Sequence, residues 1–338
     1  MKVLVTGGAG YIGSTICSAL EDSGHTPVIL DSLVTGKRAF TKNRVFYQGD
    51  IADKGLLERI LSDHPDIFCT IHCAALIVVP ESVGEPYLYY RENVCKSLEL
   101  FKHLADLGQT RVVFSSSASI YDAGEDFRVT EESALRPQSP YARTKHMMEM
   151  VLEDLCRATP LRGIALRYFN PIGADPQLRS GLHVAAPSHV LGKLVDAARG
   201  RIPVFEITGT DWPTRDGSGI RDFIHLWDLA LAHVQAVEGF DRAFERAHAE
   251  GIEGDYLVIN LGTGNGVTVK ELVAAFERVD GHELPKREAP RREGDAVGAY
   301  ASTERARDLL GWTPKSTTDE AIRTALAWDA KKAQVLGE

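Results

Sequence analysis

The sequence predicts an α/β protein in which a doubly wound parallel sheet is joined to a smaller, interleaved C-terminal α/β lobe. Two observations predict it. A strand, a glycine-rich turn and a helix follow one another at the N-terminus, and strand and helix patterns then alternate through residue 170. Beyond residue 170, glycine, proline and histidine become frequent and the elements shorten. We therefore predict a first lobe over 1–170, with returning elements near 221–262, and a second lobe mainly over 171–338.

The N-terminal unit has the pattern of a dinucleotide-binding turn. Lys2 to Thr6 are mostly apolar, which predicts a strand buried on both faces. Gly7, Gly10 and Gly13 follow, and apolar residues then recur at helical spacing from Ile12 onward. Residues without a Cβ allow a tight turn and let a pyrophosphate approach the N–H groups at a helix start. The unit therefore predicts a Rossmann-type lobe.

Asp31 strengthens the dinucleotide interpretation, because a glycine triplet alone is weak evidence. It ends the next apolar run, Pro27 to Leu30. A carboxylate at this place accepts hydrogen bonds from an adenosine ribose and repels a 2′-phosphate. No basic residue directly follows it, so the sequence favours NAD over NADP.

The remaining elements of the first lobe follow in order. Ala74 and Ala75 end a predicted strand, and their small side chains leave room for a flat ring. The predicted strands are VFYQGD with Asp50 at its tip, Asp66 to Cys73, Arg111 to Ser115 and Gly163 to Phe169. The predicted helices are Asp53 to Ser62, Pro86 to Leu107 and Tyr141 to Cys156.

Some later segments are expected to return to the first lobe. They are Arg221 to His225, a helix from Leu226 and a strand ending in Val258 to Leu261. The lobes are therefore expected to interleave. The cleft between them, over the carboxyl ends of the strands, is the expected substrate site.

Composition excludes several classes of partner. The 338 residues are 44% hydrophobic and carry a net charge of −9, which disfavours nucleic acid and anionic membrane surfaces. The apolar runs are far shorter than a membrane span, and the first strand starts at the N-terminus, so we expect neither a membrane anchor nor a signal peptide.

The cysteine pattern favours a reduced, cytoplasmic protein without a metal site. The five cysteines include no C-x-x-C pair. Cys69, His72 and Cys73 lie close in sequence, but they fall on a predicted strand whose neighbouring side chains point to opposite faces. We therefore interpret them as core residues rather than metal ligands.

Three polar residues lie where a nicotinamide is expected. Ser117 ends a strand, and Tyr141 and Lys145 are four residues apart on one helix face. A phenol has a pKa of about 10, but a nearby ammonium and an oxidised nicotinamide both favour the phenolate. Tyr141 is then able to take a proton from a substrate hydroxyl while Ser117 holds or relays it. Tyr/Lys pairs at this spacing are commonly ordinary surface pairs; the dinucleotide turn and the serine strand favour chemistry here.

Several ordered motifs resemble the extended short-chain dehydrogenase/reductase superfamily, and within it the UDP-glucose 4-epimerase family. The motifs are TGGAGYIG, FSSSASIY, PYARTK, LRYFNPIGA, DWPTRDGSGIRDFIH and NLGTG, and the similarity runs from Lys2 to about Trp328. The resemblance implies a Rossmann domain with a nucleotide-sugar lobe, NAD kept bound through turnover, a UDP-sugar substrate and a homodimer. It implies reversible 4-epimerisation of UDP-hexoses through a 4-keto intermediate.

The resemblance also implies site residues. For NAD they are Tyr11, Ile12, Asp31, Ser32, Asp50, Ile51, Ala74, Asn93, Tyr168 and Phe169, beside the glycines, Ala75, Tyr141 and Lys145. For the UDP-sugar they are Asn170, His189, Val190, Thr208, Arg221, Phe223, Arg292 and Asp295, beside Ser117 and Tyr141. Arg221 and Arg292 suit a diphosphate, because a guanidinium pairs with phosphate oxygens.

Ala299 is the residue at which the family resemblance implies a gate to the sugar pocket. It lies thirteen residues before Trp312, where the family often has tyrosine. A methyl group leaves room that a phenol ring would fill, so we expect the N-acetylhexosamine pair to be accepted as well as plain hexoses. Three further departures from the family, Ile77, Ser32 and Asp122, leave the catalytic set intact.

Two classes of alternative remain. The first is another nucleotide-sugar enzyme: a UDP-uronate 4-epimerase, a 4,6-dehydratase or a decarboxylase. The 4,6-dehydratases and the decarboxylases resemble one another in having a carboxylate next to the catalytic serine or threonine. Here Ala118, Ser119 and Ile120 follow Ser117, and none of them is acidic, which disfavours both classes. The second is a non-catalytic NAD-binding regulator, against which the intact Ser117, Tyr141 and Lys145 argue.

Overall fold

A parallel seven-stranded sheet forms the centre of the first lobe in the computed structural model, which describes residues 1–291 and 296–338. The strand order is β12-β7-β5-β4-β1-β2-β3. The strands are β1 (Lys2–Thr6), β2 (Thr26–Asp31), β3 (Val45–Gln48), β4 (Ile67–His72), β5 (Arg111–Ser115), β7 (Arg162–Tyr168) and β12 (Tyr256–Leu261). The order reverses between β1 and β4, which places a ligand crevice over the carboxyl ends of the strands.

Helices cover both faces of this sheet, as its apolar strands require. One core contains Val3, Ile71 and Ile164 with side chains of α1 and α8, and the other contains Leu4, Val112 and Leu152 on the opposite face. The helices of this lobe are α1 (Tyr11–Asp22), α2 (Lys54–Asp63), α3 (Val79–Gly84), α4 (Pro86–Tyr89), α5 (Lys96–Asp106), α6 (Pro140–Ala158), α8 (Leu226–Glu238) and α9 (Phe240–Ala249). Short 3-10 turns lie at Arg38–Thr41 and Ala118–Ile120.

The predicted helix from Pro86 to Leu107 is not uniform. Tyr90–Cys95 forms a π-helical segment between α4 and α5. A π-bulge adds one residue to a turn and is frequent at functional sites. Here it carries Asn93, which is fully buried.

A separate core defines the second lobe. It gathers Leu191, Leu194, Phe223, Phe276 and Ile322. The contributing elements are α7 (Val190–Ala198), α10 (Val269–Asp280), α11 (Thr318–Leu336), β8 (Asn170–Ile172), β9 (Phe205–Thr208) and β11 (Phe223–His225). Thr268 and Thr317 begin α10 and α11 with capping boxes to Glu271 and Glu320.

Four two-stranded sheets accompany the main sheet in the part of the chain that the structure describes. They pair β10 (Ile220–Arg221) with β13 (Val267–Thr268), β11 with β8, β14 (Lys286–Ala289) with β9, and β15 (Tyr300–Ala301) with β6 (Arg128–Val129). A second π segment lies at Ala306–Leu310.

Two of the segments predicted to return to the first lobe, β11 and β12, differ from one another in where they pair. β12 joins the main sheet beside β7, in parallel register from Tyr256 opposite Gly163. β11 pairs instead with β8, and its Ile224 packs into the first-lobe core while Phe223 packs into the second. The boundary between the two cores therefore runs along β11.

No helix of the described residues is long and apolar enough to cross a membrane.

Candidate active site

The glycine turn between β1 and α1 packs directly on the chain that follows β4. Gly7 has a positive φ of 74°, and a Cβ there would lie 2.7 Å from the Ala74 nitrogen. A Cβ on Gly13 would lie 2.2 Å from the Gly7 oxygen. Gly10 donates its N–H to that same oxygen at 3.1 Å and precedes α1. The turn therefore leaves the N-terminus of α1 open to a pyrophosphate.

Asp31 connects the end of β2 to this turn. Its Oδ2 accepts from the Ala9 N–H at 2.9 Å and its Oδ1 accepts from the Leu33 N–H at 2.8 Å. The carboxylate is thereby fixed beside the glycine turn, where an adenosine ribose is expected. Ser32 follows, and its hydroxyl accepts from the Val34 N–H at 3.4 Å.

Asp50 and Ile51 lie beyond the end of β3. Asp50 accepts from the Ala52 N–H at 3.0 Å and pairs with the Lys96 ammonium at 2.5 Å. Burial opposes ionisation of this carboxyl, but Lys96 and the Ala52 N–H together lower its pKa. Ile51 is buried.

Asn93 links the loop after β4 to α6, the helix that carries Tyr141 and Lys145. Its Oδ1 accepts from the Leu76 N–H at 2.8 Å, and its Nδ2 donates to the Leu76 oxygen at 2.9 Å and to Thr144 Oγ1 at 3.1 Å. All of its hydrogen-bonding atoms thus have protein partners, and it fixes the loop in which Ala74 and Ala75 lie.

Tyr141 and Lys145 lie on the buried face of α6, against the end of β5. The Lys145 ammonium donates to the Ser115 oxygen at 2.9 Å and lies 5.0 Å from the centre of the Phe114 ring. Burial lowers the pKa of Lys145 to about 8. Burial raises the pKa of Tyr141, and the Ser117 hydroxyl opposes this rise. In the protein alone Tyr141 is therefore a phenol at neutral pH.

The three consecutive serines each have a different partner. Ser115 Oγ lies 2.9 Å from His233 Nε2 and 3.1 Å from Cys73 Sγ. Ser116 donates to Glu149. Ser117 donates to Ser119 Oγ at 2.9 Å and begins the 3-10 turn at Ala118–Ile120. The strand end is thus fixed on both faces of the sheet.

Glu149 and Arg167 form an ion pair behind the serines that sequence reasoning missed. Both are almost fully buried, and their closest atoms are 2.7 Å apart. Arg167 also donates to the Tyr121 hydroxyl at 2.8 Å. Glu149 lies four residues beyond Lys145, so the i, i+4, i+8 spacing from Tyr141 was a usable signal. Arg167 gave no such signal, because its position depends on the pairing of β7 with β5.

Tyr168 ends β7, and Phe169 follows it. Tyr168 is almost fully buried, with its ring 6.3 Å from that of His233. Burial raises its pKa well above the usual value. Phe169 is half-buried, and its N–H donates to the Leu261 oxygen at 3.4 Å.

The structure brings Tyr11 and His189 together across the two lobes. Their rings stack 6.3 Å apart, and the Tyr11 hydroxyl donates to the Gly173 oxygen at 2.7 Å. His189 Nδ1 accepts from the Gly192 N–H at 3.2 Å, so the proton belongs on Nε2, which has no partner among the described residues. Burial lowers the pKa of His189 to about 4, so the ring is neutral. It offers one unused donor next to the first turn of α1.

The other predicted substrate residues are spread over the second lobe. Asn170 opens β8, Val190 opens α7 and Thr208 ends β9. Arg221 donates to the Ile220 and Val297 oxygens, both at 2.7 Å. Phe223 is 2% exposed and packs in the second core. Arg292 and Asp295 lie outside the described residues.

The side chains of Ala299 and Tyr300 are expected to point to opposite faces of their segment. A Cβ on Gly266 would lie 2.7 Å from the Tyr300 ring, so this ring packs against Gly266. Ala299 is half-buried and lies just before β15, and the alternation of side chains along a strand predicts that it points to the other face. The described residues contain no cluster of three His, Cys, Asp or Glu arranged to hold a metal ion. Both nitrogens of His72 bond to hydroxyls, those of Thr6 at 2.7 Å and Ser97 at 2.8 Å.

Comparison with known proteins places this geometry in a family. The NAD dependent epimerase/dehydratase family matches residues 3–249. A UDP-glucose 4-epimerase of Rhizobium leguminosarum bv. trifolii is 40% identical over 98% of both chains. A solved UDP-glucose 4-epimerase from Stenotrophomonas maltophila, with bound NAD and formylated UDP-arabinopyranose, has a TM-score of 0.91 at 35% identity and 99% coverage of each chain. The UDP-Glc/GlcNAc 4-epimerase of Campylobacter jejuni has a TM-score of 0.81 at 31% identity, covering 98% of this chain and 99% of its own.

Proposed function

This chain belongs to the NAD-dependent epimerase/dehydratase family, and we propose that Tyr141, Lys145 and Ser117 carry out its reaction. The reaction is the reversible 4-epimerisation of UDP-hexoses with NAD as cofactor. The observation that carries the assignment of residues is the position of Tyr141 and Lys145 on one buried helix face, against the serine-rich end of β5. That strand end opens into the crevice beside the glycine turn.

The residues around the glycine turn fit NAD. Cβ atoms on Gly7 and Gly13 would close the turn, and Asp31 is fixed where a 2′-phosphate would meet its charge. We assign to the cofactor Gly7, Gly10, Tyr11, Ile12, Gly13, Asp31, Ser32, Asp50, Ile51, Ala74, Ala75, Tyr168 and Phe169, with Asn93 fixing the loop. Bound NAD supplies the acceptor that takes hydride from C4 and returns it.

The chain's own residues move the proton and hold the sugar. With NAD bound, the positive charge of the oxidised nicotinamide would favour the Tyr141 phenolate, which accepts the proton of the 4-hydroxyl while Ser117 bonds to that oxygen as it becomes a carbonyl. Lys145 stays protonated below its lowered pKa of about 8 and stabilises the negative charge nearby. On the return step Tyr141 gives the proton back, so the enzyme ends in its starting state. Inversion requires the 4-keto sugar to expose its other face while the nucleotide remains bound.

The second lobe is the proposed holder of the nucleotide. We assign to UDP the residues Asn170, His189, Val190, Thr208 and Arg221, with Arg292 and Asp295 from the family resemblance. The unpartnered Nε2–H of His189 suits a phosphate oxygen. Residues 1–170 with β11, α8 and β12 then bind NAD, and most of 171–338 binds the nucleotide sugar.

Ala299 is the proposed wall of the sugar pocket. Its small side chain, with the Tyr300 ring turned onto Gly266, leaves space for a 2-acetamido group. We propose that UDP-N-acetylglucosamine and its galacto epimer are accepted alongside the plain hexoses. The similar enzyme of Campylobacter jejuni, described as acting on both sugars, supports this breadth.

Replacing Tyr141 with phenylalanine tests the catalytic assignment. The variant keeps the ring but removes the group that accepts the proton, so turnover of UDP-galactose should fall by a factor of about 10² to 10⁴. The affinity for UDP, measured by calorimetry on the NAD-bound protein, should stay within about twofold. Near-normal turnover would contradict the assignment.

We also propose a homodimer located in the cytoplasm. Large apolar side chains are exposed on adjacent helices: Leu98 on α5, Met147 and Met150 on α6, and Val83 on α3. Such a patch is typical of a surface that a second copy covers. All five cysteines are free, which suits a reducing compartment.

A further inference from the structure

The segment 296–302, which contains Ala299 and is called here the wall segment, is attached to β10 and to Asp222, which lies between β10 and β11. The Ile220 N–H donates to the Val297 oxygen at 2.8 Å, and Arg221 donates to that oxygen at 2.7 Å. Gly298 has a φ of 110°, and a Cβ there would lie 1.7 Å from the Ile220 oxygen. The backbone just before Ala299 therefore has very little freedom to move.

Asp222 attaches the wall segment just after Ala299. Its side chain is fully buried, and its Oδ2 accepts from the N–H groups of Ala301 and Gly264, both at 3.1 Å. Its Oδ1 accepts from the N–H and the hydroxyl of Thr263, both at 2.7 Å. One carboxylate, between β10 and β11, thus joins the loop after β12 to the wall segment.

The opposite edge of the wall segment is paired with β6. Tyr300 donates its N–H to the Phe127 oxygen at 2.9 Å, and Ser302 donates to the Val129 oxygen at 2.7 Å. Asp222 supplies the acceptor for the Ala301 N–H, which lies between these two donors and points away from β6. Without Asp222 this buried N–H would have no acceptor, which is costly.

We propose that Asp222 is a positioning residue that fixes the backbone at Ala299 and thereby determines which sugars fit the pocket. The proposal rests on the proposed function of Ala299 as the pocket wall. A side chain at 299 excludes a larger sugar only if its backbone cannot retreat. Asp222 holds that backbone in place without contacting the substrate.

Asparagine at position 222 removes this hold with little change in shape. An amide has one acceptor oxygen and a donor NH2 group. Keeping the two shorter bonds to Thr263 turns the NH2 toward the N–H groups of Gly264 and Ala301. Two donors then face each other, so the Ala301 backbone is expected to move away.

A double-mutant cycle between Asp222→Asn and Ala299→Tyr tests the proposal. The quantity measured is kcat/KM for UDP-galactose divided by that for UDP-N-acetylgalactosamine, on NAD-loaded protein. In the wild-type background, Ala299→Tyr should raise this ratio by a factor of roughly 10 to 100. In the Asp222→Asn background, the same substitution should raise it only a few-fold, because the wall segment yields to the larger sugar.

Asp228 provides a matched control. It is 2% exposed and accepts the N–H groups of Lys315 and Ser316, at 2.9 and 2.7 Å, in a segment away from Ala299. Asp228→Asn should lower stability by a similar mechanism but leave the effect of Ala299→Tyr at its wild-type size. An equal loss of discrimination in both backgrounds, or full discrimination in Asp222→Asn, would overturn the proposal.

Hydrogen exchange separates this proposal from the assignment of Ala299. The Ala301 amide should exchange at least tenfold faster in Asp222→Asn than in the wild type and Asp228→Asn. If Ala299→Tyr fails to discriminate in the wild type, the assignment of Ala299 is wrong, and with it the role of Asp222 in specificity. If discrimination is present but exchange is unchanged, Asp222 does not position the wall. Should Asp222→Asn not fold, Thr263→Ala removes one partner of the carboxylate and should show both effects to a smaller extent.

Discussion

Two histidines lie on the two faces of the sheet near Lys145, and both are fully buried. His72 bonds to the hydroxyls of Thr6 and Ser97, and His233 bonds to Ser115 Oγ and, at 2.9 Å, to the Leu229 oxygen. Burial lowers the pKa of His72 to about 3 and that of His233 to about 4. Both rings are therefore neutral in the folded protein at physiological pH.

These histidines make the stability of the protein sensitive to acid. Between the unfolded pKa near 6.5 and the lowered folded values, the unfolded chain binds more protons than the native one, so stability falls as the pH falls. From pH 7 to pH 5 each histidine should remove about 2 kcal/mol from the free energy of unfolding. Urea unfolding with excess NAD, for the wild type, His72→Gln and His233→Gln, measures this loss.

Each variant should show an acid-induced loss smaller by about 2 kcal/mol than the wild type, whatever its stability at pH 7. His282, whose side chain is 84% exposed, provides the control, because His282→Gln should leave the profile parallel to the wild type. Parallel profiles for all three variants would contradict the assignment of buried neutral rings.

The glycine turn determines whether the first strand–helix unit can hold a dinucleotide. Gly13→Ala places a methyl group 2.2 Å from the Gly7 oxygen, so either the turn or α1 must move. We expect a loss of about 1–3 kcal/mol in the free energy of unfolding. NAD released per chain on denaturation, measured by mass spectrometry, should fall well below one.

Gly10→Ala and Gly55→Ala serve as an intermediate case and a control for this prediction. A Cβ on Gly10 would be 3.3 Å from the Gly7 oxygen, so a smaller loss of NAD is expected. Gly55 is exposed in α2, and its Cβ would meet only Asp53 at 3.5 Å. Alanine there should raise stability by about 0.5–1 kcal/mol and leave NAD unchanged. The loss of NAD should be largest for Gly13→Ala, smaller for Gly10→Ala and absent for Gly55→Ala. Any other order would count against the glycine turn as the NAD-binding site.

At the scale of elements, prediction succeeded where a local pattern carries the information. Lys2–Thr6 and Arg111–Ser115 were predicted with their observed bounds, because strands buried on both faces are apolar throughout. The π segment at Tyr90–Cys95 was not predicted, because its distinguishing feature is the contact of Asn93 with the loop at Leu76, which no local pattern shows.

The residues of the site also divide into those that a local pattern predicts and those that it does not. Tyr141 and Lys145 are visible as an i, i+4 pair, whereas the contacts of Asp222 with Thr263 and Ala301 join segments 41 and 79 residues apart. No periodicity records such contacts, because they depend on how the second half of the chain folds back on the first. The roles of the nucleotide-binding residues came from the family resemblance alone. The burial of Phe223 in the second core became visible only in the structure.

At the scale of the molecule, the two lobes share elements along the chain. β12 completes the edge of the main sheet long after β7, and β11 contributes one side chain to each core. Helices α5 and α6 pack together and line one side of the first lobe. The buried face of α6 carries Tyr141 and Lys145, so a partner that packs on its other face would also stabilise the site.

The exposed face of α6 carries the last prediction. Arg143, Met147, Met150 and Asp154 recur at helical spacing on this face, and Leu98 is exposed on the neighbouring α5. Charges at the centre of an apolar interface cost several kcal/mol, since an unpaired carboxylate must be desolvated. The double variant Met147→Glu/Met150→Glu should therefore sediment with the mass of one chain, where the wild type has the mass of two. Its turnover should fall several-fold, because α6 loses the support of its partner. Val184→Glu, at a similarly exposed valine before α7, should remain a dimer. A wild type that sediments as a single chain, or a double variant that remains a dimer, would show that this face is not the interface.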